Sequence, residues 1–194
     1  MIKVPGGGNC DRSIVLVGLM GAGKSCIGKR LAQHYGLPFV DADREIEAAA
    51  GCSISDFFEL HGEQAFRDGE RRVIARLLGI TPDVLATGGG AFMDVQTRQL
   101  ITDKAVSIWL RAELDQLLKR VGRRNDRPLL KNVDQRQKLS ELIDVRYPVY
   151  AESDIVVDSA DGPPEMTLDR VLHALEDYLD PPSPAHPADG PRPA

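Results

Sequence analysis

Gly18-Leu19-Met20-Gly21-Ala22-Gly23-Lys24-Ser25 fits the pattern G-x-x-x-x-G-K-[ST] at every position, the spacing of a loop that cradles the phosphates of a nucleoside triphosphate. Ser13-Ile14-Val15-Leu16-Val17 before it is short, apolar and β-branched, as a strand buried on both faces should be. From Lys24 onward the spacing turns helical, with Ile27, Leu31 and His34-Tyr35 near one face. The chain must therefore turn sharply between strand and helix, where glycines without Cβ atoms are needed. The amides of Gly21, Ala22, Gly23, Lys24, Ser25 and Cys26 can then point inward at the helix N-terminus, where unpaired N–H groups and the helix dipole favour an anion. Lys24 adds a full positive charge for the β and γ phosphates, and the Ser25 hydroxyl can ligate Mg2+. The ligand these residues imply is a nucleoside triphosphate with magnesium.

Three further groups carry chemistry. Asp41 and Asp43 follow a strand candidate, where a phosphate-loop magnesium site needs a carboxylate to support Ser25. One can serve the metal and the other an acceptor; the alternative is a pair of turn or helix-capping residues. Gly88-Gly89-Gly90 carries a large entropy cost for a mere linker, so close backbone approach to a ligand explains it better. No Asp ends the strand Val84-Leu85-Ala86-Thr87, which leaves Asp41 as the metal carboxylate. Finally, Lys119, Arg120, Arg123, Arg124, Arg127 and Lys131 place six cations within thirteen residues, opposed only by Asp126. Such a run is usually a solvated helix face, but beside a triphosphate site it reads as an arginine-bearing flap.

These residues need elements to hold them. A chain of 194 residues can bury one sizeable core. Strand signals at 13–17, 38–40, 84–86, 106–110 and 155–157 alternate with helical stretches at 24–35, 44–50, 54–60, 63–78, 94–101, 114–121, 134–150 and 165–179. That alternation predicts an α/β domain over 12–179 with a parallel sheet, helices on both faces and ligands at the carboxyl ends of the strands. Residues 1–11 are expected to form a flexible extension, 123–133 a mobile lid loop and 180–194, with six prolines, a disordered tail.

Composition narrows the function further. A net charge of −5 argues against a nucleic-acid surface. No apolar run approaches a membrane span and the N-terminus has no signal-peptide h-region, so the cytoplasm is the expected location. Cys10, Cys26 and Cys52 lack C-x-x-C spacing and are expected to be free thiols, Cys26 packed behind the phosphate loop. The four histidines are scattered and receive no role.

Taken together, the chain resembles the shikimate kinase family. The resemblance rests on the phosphate loop, Asp41-Ala42-Asp43, Gly62-Glu63-Gln64-Ala65-Phe66-Arg67 with Glu70, Thr87-Gly88-Gly89-Gly90-Ala91, Arg127-Pro128-Leu129-Leu130 and Arg146-x-x-x-Tyr150, in the family's order from about Ile14 to Leu179. It implies a P-loop NTPase fold of the nucleoside-monophosphate-kinase type, with five parallel strands in the order 2-3-1-4-5, and phosphorylation of the shikimate 3-hydroxyl by ATP. It also implies roles: Asp43 as base and hydroxyl ligand, Arg67 and Arg146 on the carboxylate, Gly89 touching substrate through its backbone and Glu70 orienting Arg67. Arg127 would reach the phosphates from the lid, Arg120 would lie near the adenine, and the enzyme would be a monomer. A related gluconate kinase would not be expected to combine Arg67, the triple glycine and Arg146. A catalytically silent nucleotide-binding module would normally have lost Lys24, Asp43 or a substrate arginine, and all are present.

Overall fold

A computed structural model describes residues 2–3, 9–80, 82–122 and 134–180. Five parallel strands form the central sheet: β3 (Ser13–Val17), β4 (Phe39–Asp41), β5 (Val84–Ala86), β6 (Ala105–Arg111) and β7 (Ile155–Asp158), in the spatial order β4-β5-β3-β6-β7. Numbered among themselves, these strands follow the order 2-3-1-4-5. The register sets Val15 beside Leu85 on one side and Ser107 on the other, and Trp109 beside Val156 at the far edge. At the N-terminus, β1 (Ile2–Lys3) and β2 (Asn9–Cys10) form a two-residue antiparallel ladder that the sequence pattern did not suggest.

Hydrophobic burial explains the layering. Every residue of β3 is buried, because the sheet is covered on both faces. Ile27 and Leu31 of α1 (Lys24–Tyr35) join that core, as do Ile74 of α3 (Ile54–Leu77), Ile101 of α4 (Val95–Lys104) and Val171 and Leu175 of α7 (Pro164–Leu179). The remaining helices are α2 (Ala42–Ala50), α5 (Leu114–Val121) and α6 (Gln135–Tyr150). Among the described residues no helix is long and apolar enough to cross a membrane.

Two boundaries differ from the sequence reading and both affect the site. The second helix begins at Ala42, so Asp43 lies in its first turn and only Asp41 ends the strand. The stretches expected as two helices at 54–60 and 63–78 run together through a break at Gly62, whose φ of 77° and ψ of 174° interrupt α3. Cys26 is also exposed, a correction to its expected packing, with its sulfur taking an N–H from Arg30 at 3.1 Å. It follows Ser25 on the solvent side of the first helical turn. Residues 123–133, with Arg123, Arg124, Arg127 and Lys131, lie outside the described residues, as do 181–194.

At the opposite end of the sheet, Asp83 is only 4% exposed and its Oδ1 has no hydrogen-bond partner. Burial pushes its carboxyl pKa up, and hydrogen bonds from Ser13 and its own backbone offset this only in part. Relative to the unfolded chain, folding thus shifts the balance toward the protonated form. That contribution is complete below the unfolded pKa and is lost as pH rises through the higher folded value. Asp83→Asn, which cannot ionise, should raise the free energy of unfolding by about 1 kcal/mol at about pH 7 and by less near about pH 4. Denaturant titrations at the two pH values check this; a variant equally or more destabilised at the higher pH contradicts it.

Candidate active site

The phosphate loop leaves the carboxyl end of β3 and wraps the start of α1. Gly23 stands at the helix N-cap with φ 103°, a left-handed conformation that a side chain would strain. Gly18 is excluded from carrying a side chain for a second reason: a Cβ there would lie 2.7 Å from the Leu110 carbonyl. Lys24 Nζ donates to Gly18 O at 2.7 Å and Leu19 O at 3.0 Å, so the ammonium is held over the loop's own carbonyls. Ser25 Oγ donates to Asp41 Oδ2 at 2.9 Å. The loop and the end of β4 therefore present a hydroxyl and a carboxylate side by side, both hard oxygen donors suited to magnesium.

The triple glycine lies next to the phosphate loop. A Cβ on Gly89 would fall 3.5 Å from Gly18 O and 3.8 Å from Met20 N. Thr87 anchors the turn, donating from both its backbone N–H and its hydroxyl to Leu16 O in β3, and Gly88 O accepts from Ala91 N–H.

Each glycine leaves room for a different functional side chain. A Cβ on Gly88 would fall 2.6 Å from Asp43 Oδ1, one on Gly89 3.2 Å from Arg146 Nη1, and one on Gly90 2.7 Å from Arg67 Nη1. The first and third distances are shorter than real Cβ contacts, so a side chain there would make the Asp43 carboxylate or the Arg67 guanidinium shift. The sequence reading of close ligand approach therefore acquires a second physical cause: the turn lacks side chains because an acid and two guanidinium groups occupy that space. These three groups come from α2, α3 and α6.

Electrostatics hold the arginines. Arg67 Nη1 donates to Glu70 Oε2 at 2.5 Å, and its Nη2 pairs with the exposed Glu63 at 3.4 Å. Glu70 is 2% exposed. Burial pushes its pKa up, Arg67 pulls it back, and the Asp43 and Asp94 carboxylates raise it further. Arg71 grips Asp94 with two hydrogen bonds of 3.2 Å, while Asp94 caps α4 by accepting from Thr97 N–H at 2.8 Å. This pair ties the helix bearing Arg67 to the segment after the glycine turn. Arg146 Nη1 donates to Gly89 O at 2.9 Å, and the Tyr150 hydroxyl donates to the same oxygen.

Arg120 occupies a different part of the rim. Its Nη1 reaches Gly21 O at 3.4 Å and Ser159 Oγ at 2.8 Å, and its Nη2 reaches Ala160 O at 2.7 Å. It therefore links the phosphate loop to the segment after β7. Lys119 is paired with Asp161 at 3.4 Å on the surface, so within the cationic run it follows the solvated-face alternative. The sequence reading missed Asp94 and the shared contact made by Tyr150. The D-x-x-T spacing of Asp94 and Thr97 is a capping signal, and Arg146 and Tyr150 at i and i+4 share a helix face.

Comparison with known proteins agrees with this arrangement. A family model described as shikimate kinase matches residues 20–176. The chain is 59% identical over 173 residues to a shikimate kinase of Paramagnetospirillum magneticum, with 89% of each chain covered. Among solved structures, shikimate kinase from Acinetobacter baumannii in complex with shikimate is similar with a TM-score of 0.80 and 34% identity, covering 84% of this chain and 92% of that one. A gluconokinase from Sinorhizobium meliloti shares 18% identity with a TM-score of 0.59, covering 88% and 94%, and this likeness shows the fold alone. The five-stranded order, the phosphate loop and the extent of these matches place the chain in the shikimate kinase family.

Proposed function

We propose that the protein transfers the γ-phosphoryl group of ATP to the 3-hydroxyl of shikimate, giving 3-phosphoshikimate and ADP. The observation that carries this reading is the closeness of the glycine turn to the phosphate loop, where a Cβ on Gly89 would reach Gly18 and Met20. It sets the seat of Asp43, Arg67 and Arg146 directly beside the seat of the phosphates. A small acid bearing hydroxyls matches that set, since guanidinium groups bind a carboxylate through paired N–H donors and a carboxylate accepts from hydroxyls.

In this reading Arg67 and Arg146 hold the shikimate carboxylate, and the Glu70 ion pair fixes the Arg67 fork. Asp43 accepts the proton of the 3-hydroxyl as that oxygen attacks phosphorus. Because Gly89 O is already occupied by protein donors, its backbone contact with the substrate is made by its N–H. Gly21, Ala22, Gly23, Lys24, Ser25 and Cys26 surround the nucleotide phosphates. Lys24 leaves the carbonyls of Gly18 and Leu19 for the transferring group, where positive charge stabilises the transition state. Ser25 and Asp41 would hold magnesium, which supplies charge neutralisation at the β and γ phosphates. Arg120 borders the nucleotide, and Arg127, which lies outside the described residues, is the further cation that the family resemblance assigns to the phosphates. A monomer is the state that the family resemblance implies.

Shikimate-dependent release of ADP from magnesium-ATP, followed in a coupled assay, tests the reaction. Release that does not depend on shikimate would contradict it. Asp43→Asn should lower kcat by about a hundredfold or more, the range of a lost general base, while leaving nucleotide binding within about twofold; near-normal kcat would remove Asp43 from the base role. Gly90→Ala should push Arg67 off its position and raise the shikimate KM by about tenfold or more, the effect of a lost charged hydrogen-bond pair, without lowering the thermal midpoint. A variant with an unchanged shikimate KM would show that Arg67 is not seated against Gly90 for binding.

A further inference from the structure

Helix α6 sends two donors, one turn apart, to a single backbone oxygen: Arg146 through Nη1 and Tyr150 through its hydroxyl both bond Gly89 O. A carbonyl oxygen has two lone pairs, so this acceptor is saturated. The two donors differ in freedom. Tyr150 is fully buried, with its ring set edge-on to Trp109 at 5.9 Å between centroids and 6.5 Å from Phe92. Arg146 is partly exposed on a long stem, and must share or release its bond to Gly89 when its guanidinium takes a carboxylate.

The two donors converge on Gly89 O. Burial, the larger influence, pushes the Tyr150 pKa up to about 12 against the lowering pull of the Arg146 charge. The phenol therefore keeps its proton and stays a donor to Gly89 at physiological pH. With the hydroxyl present, Arg146 can turn to an incoming carboxylate and Gly89 O remains bonded. Without it, Arg146 is the only one of the two donors left, and binding a carboxylate would cost either that bond or the geometry of the turn.

We propose that Tyr150 is a positioning residue for the acceptor: its hydroxyl holds the Gly89 peptide in register with the phosphate loop and frees Arg146 to bind the acceptor carboxylate. This inference rests on the reading of Gly89 and Arg146 as acceptor-binding groups. A hydroxyl that served only packing would affect both substrates and stability alike. One that acts through Gly89 and Arg146 affects the acceptor alone.

Tyr150→Phe keeps the ring and removes the hydroxyl. Steady-state kinetics should show the shikimate KM raised about tenfold, the effect expected when a buried acceptor loses its partner, with the ATP KM within about twofold. Tyr147→Phe is the control, because its hydroxyl donates to Ala112 O within the same aromatic cluster; it should leave the shikimate KM within about twofold of the parent value. An unchanged shikimate KM in Tyr150→Phe, a parallel rise in both KM values with a lowered thermal midpoint, or an equal effect of Tyr147→Phe would each overturn the proposal. If the parent protein shows no shikimate-dependent turnover, the acceptor reading fails first and takes this inference with it, before any variant is compared.

Discussion

The absence of side chains at Gly88, Gly89 and Gly90 is the constraint on which the site depends. Helices α2, α3 and α6 each send one charged group into that space, and a Cβ at Gly88 or Gly90 would force its occupant to shift. The turn is fixed by two sets of bonds: Thr87 ties it to Leu16 in the central strand, and Arg146 with Tyr150 ties Gly89 to α6. Because the same turn lies close to Gly18 and Met20, any shift in it would disturb the placing of Asp43, Arg67 and Arg146 relative to the phosphate loop. A displacement of about an ångström between reacting groups is enough to cost orders of magnitude in rate.

Charge burial gives this arrangement its tension. Glu70 is buried with a raised pKa despite its contact with Arg67, because desolvation and the nearby Asp43 and Asp94 carboxylates outweigh the arginine's pull. A buried ion pair of this kind is weak evidence for stability, since desolvation offsets much of the attraction. Its value here is geometric: Glu70 fixes the direction of the Arg67 fork, leaving Glu63 as a secondary, exposed partner. Asp94 shows the opposite balance. Burial raises its pKa, but the two bonds from Arg71 and the Thr97 cap outweigh burial and hold the carboxylate below its ordinary value. The helix carrying Arg67 is thereby fastened to the segment that follows the glycine turn.

Local patterns were legible wherever local physics decides. The strand over 13–17, the helix over 24–35 and the helix over 114–121 have the bounds that periodicity indicates. The phosphate loop could be read because its glycines, lysine and serine are contiguous. Asp43 was legible as a candidate but not as a helical residue, since Ala42-Asp43-Arg44 can cap or begin a helix equally well. The meaning of the triple glycine was half legible: spacing shows that bulk is forbidden there, but only the packing of α2, α3 and α6 shows which side chains forbid it. Burial of Glu70, the Arg71–Asp94 clasp and the shared bond at Gly89 are tertiary facts without a local signal strong enough to reveal them. Arg67 and Arg146 became candidates only through the family resemblance, since an isolated arginine carries no local signal of a ligand.

The central claim is that the glycine turn seats a carboxylate-bearing acceptor against the phosphate loop. The most direct measurement is a crystal structure of the protein with shikimate and magnesium-ADP. The account predicts the shikimate carboxylate between Arg67 and Arg146, the 3-hydroxyl within hydrogen-bonding distance of Asp43 and directed toward the phosphate loop, and the Tyr150 hydroxyl still bonded to Gly89. Shikimate bound elsewhere, or reversed so that its carboxylate faces Asp43, would contradict it.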